Sequence, residues 1–194
     1  GNETAVIIDG AQKVGVYGLD ISSYNQSGHP YADAVVVSDS TEVAIWANIM
    51  HDAVHGIGVN GAVGAGANHV DACYNKIYNC AGWLDTMASG ISFYQLQNVG
   101  GGDDSDGYSC RIVGNIIWDC ENDPSWGAAV TDGNGIIIDI ANGAYSTSAI
   151  NYLGTVLVAN NICVGNGGRG VHALFSRNVH EYFNTCASNL KSAT

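Results

Sequence analysis

Positive charge is what this chain has least of: 6 Lys and Arg stand against 18 Asp and Glu in 194 residues, a formal net charge of −12. A protein that tracks nucleic-acid phosphates needs a basic footprint, so nucleic acid is excluded as a partner. Acidic side chains fit cation binding or plain solubility instead. No apolar run approaches the roughly 20 residues of a membrane span, and no membrane partner is expected. The opening Gly1-Asn2-Glu3-Thr4 is not a signal peptide, so such a segment is expected to be absent or already removed. The 6 cysteines (73, 80, 110, 120, 163 and 186) lack the paired short spacings of a zinc site, and most read as small buried hydrophobes. Charged residues make up only 12%, yet 46% are hydrophobic, which excludes a disordered acidic tail. Gly is high at 26 and Pro low at 2, a composition suited to many tight corners between short strands.

One domain spanning 1–194 is expected at this length. A Gly opening a short apolar strand recurs four times: His55-Gly56-Ile57-Gly58-Val59, Ser89-Gly90-Ile91-Ser92-Phe93-Tyr94, Asn134-Gly135-Ile136-Ile137-Ile138-Asp139 and Arg169-Gly170-Val171-His172-Ala173. A second signature runs through the chain, in which apolar alternation leads to an Asn and an apolar residue follows two further on. It places Asn48, Asn75, Asn115, Asn161 and Asn184 in one slot, with Leu19 there in a sixth copy. The spacing from Asn161 to Asn184 approximates the bare repeat, and longer spacings carry insertions. Asn tolerates the left-handed backbone of a sharp corner, and its amide reaches the same amide in the next coil when coils stack at about 4.8 Å. The pattern predicts a buried Asn ladder in an all-β solenoid of about six coils with inserted loops. It also predicts an inward column of Ile21, Met50, Ile77, Ile117, Cys163 and Cys186. Cys80 and Cys120 share another column, and both this pair and Cys163/Cys186 lie close enough to be bridged, with free thiols the expected state.

These segments, above all 89–95, 131–139 and 166–172, resemble the right-handed parallel β-helix of the pectate-lyase-like superfamily, and the resemblance covers almost the whole chain. The closest likeness is to secreted bacterial β-helix proteins, which implies a secreted or cell-surface location. It also implies polysaccharide as partner and the activity of a polysaccharide lyase or glycoside hydrolase. Such proteins commonly carry a His before the Thr-Asp-Gly-Asn-Gly stretch and a second acid after the first; this chain has Val130 and Ile140 there. Little sequence precedes the first coil to serve as a cap, as in a trimmed domain, and exposed coil ends would favour self-association.

Insertions in a solenoid gather on one face and build the binding surface. They fall at 25–31, 100–107, 121–126 and 142–152. Asp103, Asp104 and Asp106 follow a glycine hinge as a loop of oxygen ligands would, the reason to consider calcium. They lack the bidentate Glu and fixed spacing of an EF-hand, and a solvated turn accounts for them equally well.

On the Gly-led sheet, alternation sends Gly58, Ser92, Ile137 and His172 outward, and two residues later Asn60, Tyr94, Asp139 and Leu174. Tyr94, Asp132, Asn134, Asp139, Arg169 and His172 then fall on adjacent coils. For β-elimination on an acidic glycan, the leading expectation, Arg169 would neutralise the substrate carboxylate, His172 take the proton, and Tyr94 assist the leaving oxygen. Hydrolysis needs two carboxylates across the bond, and Asp132 and Asp139 are the pair. Asn134, Asn60, Trp83 and Trp126 are the candidate sugar contacts, the tryptophans as stacking platforms. The rival readings are a non-catalytic glycan-binding or structural β-helix of adhesin or spike type, in which Arg169 merely pairs with Asp132 and the turn residues serve the backbone.

Overall fold

The computed structural model describes residues 4–22, 32–62, 64, 66–82, 88–123, 132–141 and 152–191. Runs of β-branched residues broken by turn residues form strands three to six residues long, three to a coil. The first coil holds β1 (Val6–Asp9), β2 (Gln12–Tyr17) and β3 (Asp20–Ser22), and the second β4 (Val35–Ser38), β5 (Thr41–Trp46) and β6 (Ile49–His51). The third has β7 (Ile57–Asn60), β8 (Asn68–Cys73) and β9 (Lys76–Tyr78), and the fourth β10 (Ile91–Tyr94), β11 (Cys110–Val113) and β12 (Ile116–Trp118). The fifth has β13 (Ile136–Asp139), β14 (Val156–Ala159) and β15 (Ile162–Val164); the sixth has β16 (Val171–Leu174), β17 (Val179–Tyr182) and β18 (Thr185–Ala187). Every third strand pairs in parallel, giving three six-stranded sheets: β1-β4-β7-β10-β13-β16, then β2-β5-β8-β11-β14-β17, then β3-β6-β9-β12-β15-β18. The fold is a right-handed parallel β-helix of six coils.

The inward columns follow the sequence pattern. Ile21, Met50, Ile77, Ile117, Cys163 and Cys186 stand in register along the third sheet; the first five are buried as expected, whereas Cys186 is exposed. All six cysteines are free thiols. Each fully buried Val or Ile contributes about 1.5–3 kcal/mol, and these columns merge into one continuous core. Gly56 opens β7 because of close approach: a Cβ there would sit 2.5 Å from Ile77 Cγ2 and 2.8 Å from the Gly90 carbonyl. In the sixth coil Glu181 pairs with Val158 and takes the slot that holds Ile45, Ala72 and Ile112 below it, and it is exposed.

The Asn ladder forms at the corner between second and third sheets. Asn48, Asn75, Asn115 and Asn161 each donate from the side-chain amide to the Oδ1 of the next Asn, at 2.9–3.2 Å, across spacings of 27, 40, 46 and 23 residues. Each amide also donates to a carbonyl of the coil before: Val16, Ile45, Ala72 and Ile112. Leu19, in the same slot, joins through its backbone N–H to Asn48 Oδ1 at 3.0 Å. One expectation is corrected. The left-handed residue is the one before each Asn (Gly18, Ala47, Tyr74, Gly114, Asn160 and Phe183), so the Asn serves the ladder and its predecessor makes the bend. A shorter second ladder, Asn166 Nδ2 to Asn189 Oδ1 at 2.9 Å, occupies the column of Cys80 and Cys120, with Asn166 Oδ1 accepting the Cys120 N–H.

Candidate functional site

The outer face of the first sheet carries the site, because its register stacks the outward rows. Gly58 pairs with Ser92, Ile137 with His172, and Tyr94 lies between Asn60 and Asp139. A groove of about 470 Å³ crosses these coils, walled by Asp33, His55, Asn60, Tyr94, Asp132 and Asp139. Its floor is low at Gly58, where a Cβ would come within 2.8 Å of Asp33 Oδ2.

Asp33 and His55 each lie two residues before their strands, so the pleat sets them side by side. Asp33 Oδ1 lies 2.8 Å from His55 Nδ1 and accepts the His55 backbone N–H at 3.0 Å. Sequence reasoning missed this pair. The signal was available in β4, whose Val35 falls in register with Ile57, but β4 follows Ala34 and lacks the leading glycine.

Asp139 Oδ1 is buried with no hydrogen-bond partner among the described residues. Burial, and then the charge of Asp132, push its carboxyl up to about 6. Asp132 is held from two sides: Asn134 Nδ2 donates to its Oδ1 at 3.1 Å, and its backbone N–H donates to Asn122 Oδ1 at 3.1 Å. Asn134, expected to face substrate, is fully buried; its Oδ1 accepts the Arg169 N–H at 2.8 Å, which locks the turn under the groove. Asn60 Oδ1 accepts the Ala62 N–H at 3.0 Å, and Tyr94 Oη accepts from Gln95 Nε2 at 2.8 Å.

His172 stands one coil beyond the groove lining. Burial and then Arg169 lower its pKa from the ordinary value, against the pull of Asp132, and its Nδ1 is buried without a partner among the described residues. The Arg169 side chain is exposed. Trp83, Trp126, Val130 and Thr131, together with the loop at 25–31, lie outside the described residues.

The acidic loop is on another face, against the second sheet. Asp106 pairs with Arg111 through both carboxylate oxygens, Asp104 Oδ2 lies 2.9 Å from Arg111 Nη2, and Asp103 accepts the Thr155 N–H at 2.7 Å and its hydroxyl at 2.8 Å. Arg111 thus pairs with Asp104 and Asp106, two of the three acids considered above for calcium, and Asp103 is engaged by Thr155 instead. Among the described residues no group of three or more His, Cys, Asp or Glu side chains is arranged to hold a metal ion. No described helix is long and apolar enough to cross a membrane.

No protein-family model, curated protein or solved structure matches the chain. The class is therefore defined by the architecture alone, a parallel β-helix with an acid-lined groove on the outer face of one sheet.

Proposed function

We propose that this β-helix is an exported, carbohydrate-active protein of the pectate-lyase-like kind, and that the groove hydrolyses a neutral polysaccharide. The observation that carries the reading is the pair of carboxyls in one groove, with Asp139 raised to about 6 by burial and by Asp132. A carboxylic acid that keeps its proton near neutrality is what a leaving glycosidic oxygen requires, and a second carboxylate is what an attacking water requires. In the reaction Asp139 gives its proton to the leaving oxygen as the C–O bond breaks. Water forms the new C–O bond and passes its proton to Asp132. Tyr94 and Asn60 flank Asp139 and Tyr94 respectively in the same outward row and supply sugar contacts. Asp33, Asp132 and Asp139 face the groove and no described Lys or Arg lines it, so a uronate chain would meet like charge there.

The earlier expectation, β-elimination on an acidic glycan, stands as the second reading because of one feature. His172 is held toward its neutral form by burial and by Arg169, the state a proton-abstracting base needs. On that reading Arg169 would neutralise the uronate carboxylate beside the proton that His172 takes.

The deciding experiment incubates the protein with neutral β-glucans, xylan and mannan and with polygalacturonate and alginate, with and without calcium. New reducing ends and unsaturated-product absorbance are both followed. Hydrolysis predicts reducing ends without absorbance on a neutral polymer, abolished by Asp139→Asn and Asp132→Asn. Absorbance on a uronate that is lost in His172→Ala moves the assignment to the lyase. Unchanged polymers throughout sink both and leave a binding or structural module.

A further inference from the structure

The second sheet carries exposed aromatic rings that the groove does not use. Tyr17 and Trp46 are register partners on β2 and β5, and Tyr74 follows β8 one coil on; they are 57%, 41% and 53% exposed. Trp46 and Tyr74 touch with centroids 5.0 Å apart. Two of the rings are laid down on glycines. A Cβ on Gly15 would fall 2.0 Å from the Tyr17 ring, and one on Gly114 would fall 2.6 Å from the Tyr74 ring. A ring folded across a glycine gives one side to the backbone and keeps the other for solvent.

Two residues upstream on the same strands, the face changes character. Ala44 and Asp71 stand in register beside a hollow of about 380 Å³, also lined by Glu42, His69, Asp104 and Arg111. The His69 side chain is only 9% exposed, and its Nε2 has no hydrogen-bond partner among the described residues.

We infer that this face binds a neutral oligosaccharide, at a site separate from the groove on the first sheet. A pyranose ring has an apolar C–H side and a rim of hydroxyls. Tyr17, Trp46 and Tyr74 match the first, and the His69, Asp71 and Arg111 groups match the second. Charge selects the class of glycan: Glu42, Asp71 and Asp104 outnumber Arg111, so the hollow repels anionic sugars. Strands hold Tyr17, Trp46, His69, Asp71 and Arg111, so little ordering entropy opposes binding.

The test is calorimetric titration of cellohexaose, xylohexaose and mannohexaose into the Asp139→Asn protein, in which turnover is not a variable. At least one sugar should bind saturably at a site that Trp46→Ala and Tyr74→Ala each weaken about tenfold and that persists in Tyr94→Ala, which removes a sugar contact of the groove alone. Gly15→Ala, which lifts the Tyr17 ring while keeping it, should weaken the same sugar. The inference is overturned if no sugar binds, or if Tyr94→Ala abolishes binding while Trp46→Ala leaves it intact. It is also overturned if sedimentation shows a dimer that Trp46→Ala dissociates and no sugar binds, since the face is then an interface between copies. Because every arm reads binding, failure of the proposed hydrolysis leaves this result standing on its own.

Discussion

Asn115 Oδ1 accepts two N–H groups of Asn75, the backbone at 2.9 Å and the amide at 3.0 Å, and Asn115 repeats both bonds to Asn161 at 2.9 Å. With Nδ2 also donating to the Ala72 carbonyl at 2.8 Å, the buried amide is fully used. Asn115→Ala strands the Asn75 N–H and the Ala72 carbonyl in the core and should cost about 3–5 kcal/mol. Asn184→Ala, at the part-buried end of the ladder, should cost about 1 kcal/mol. Urea unfolding of the two variants checks the order, and equal losses would mean that the ladder is not a source of stability.

Asp139 makes the pH dependence specific. Its folded pKa lies above the ordinary 3.8, at about 6, so the native state binds the extra proton between those values. Its contribution to stability is full below 3.8 and is lost as pH rises through about 6. The stability difference between wild type and Asp139→Asn should therefore shift against wild type across that window. On the proposed mechanism turnover falls over the same pH range as Asp139 loses its proton. A flat difference, or turnover rising through pH 6, contradicts the assignment.

Arg169 and Asp132 pull His172 in opposite directions, with burial the largest influence and Arg169 next. A depressed folded pKa makes the native state resist protonation, so His172 costs stability as pH falls below 6.5, its ordinary value. Removing the cation in Arg169→Ala should raise the His172 pKa, and Asp132→Asn should lower it further. NMR titration of the imidazole reads both signs, and a downward move in Arg169→Ala would refute the pairing.

Arg111 ties Asp71, Asp104 and Asp106 together with its side chain 19% exposed. Burial raises the Asp71 pKa and Arg111 opposes that rise. Arg111→Ala leaves these acids facing one another and should cost about 2–3 kcal/mol. Arg111→Lys should recover only part, because an ammonium cannot reproduce the fork. Thermal unfolding of both decides, and a full rescue by Lys would mean that charge alone matters.

The sequence made the scaffold legible because a solenoid repeats one local problem. The slot of Asn48 through Asn184 and the column from Ile21 to Cys186 are each set by in-register stacking, and both appear in the structure. What escaped notice was whatever broke the visible period. β1 and β4 follow Ala rather than Gly, so the strand that aligns Asp33 with His55 carried no flag. The candidate site was legible as rows of outward residues, as in Tyr94 beside Asp139. Burial was not: Asn134 reads as a surface turn residue, yet lies beneath the groove with its amide committed to Asp132 and Arg169. Solvent access depends on which side chains lean over which neighbours, and spacing along the chain carries no record of that.

Glu181 gives the sixth coil a chemical address. Its carboxylate stands where Ile45, Ala72, Ile112 and Val158 stand in the coils before it, so the apolar column of the second sheet turns polar at β17. Any strand that stacks on β17 beyond this column, from this chain or another, has to bring a group that satisfies a carboxylate or leave a bare charge in its seam. The choice of that neighbour is thereby decided by one side chain.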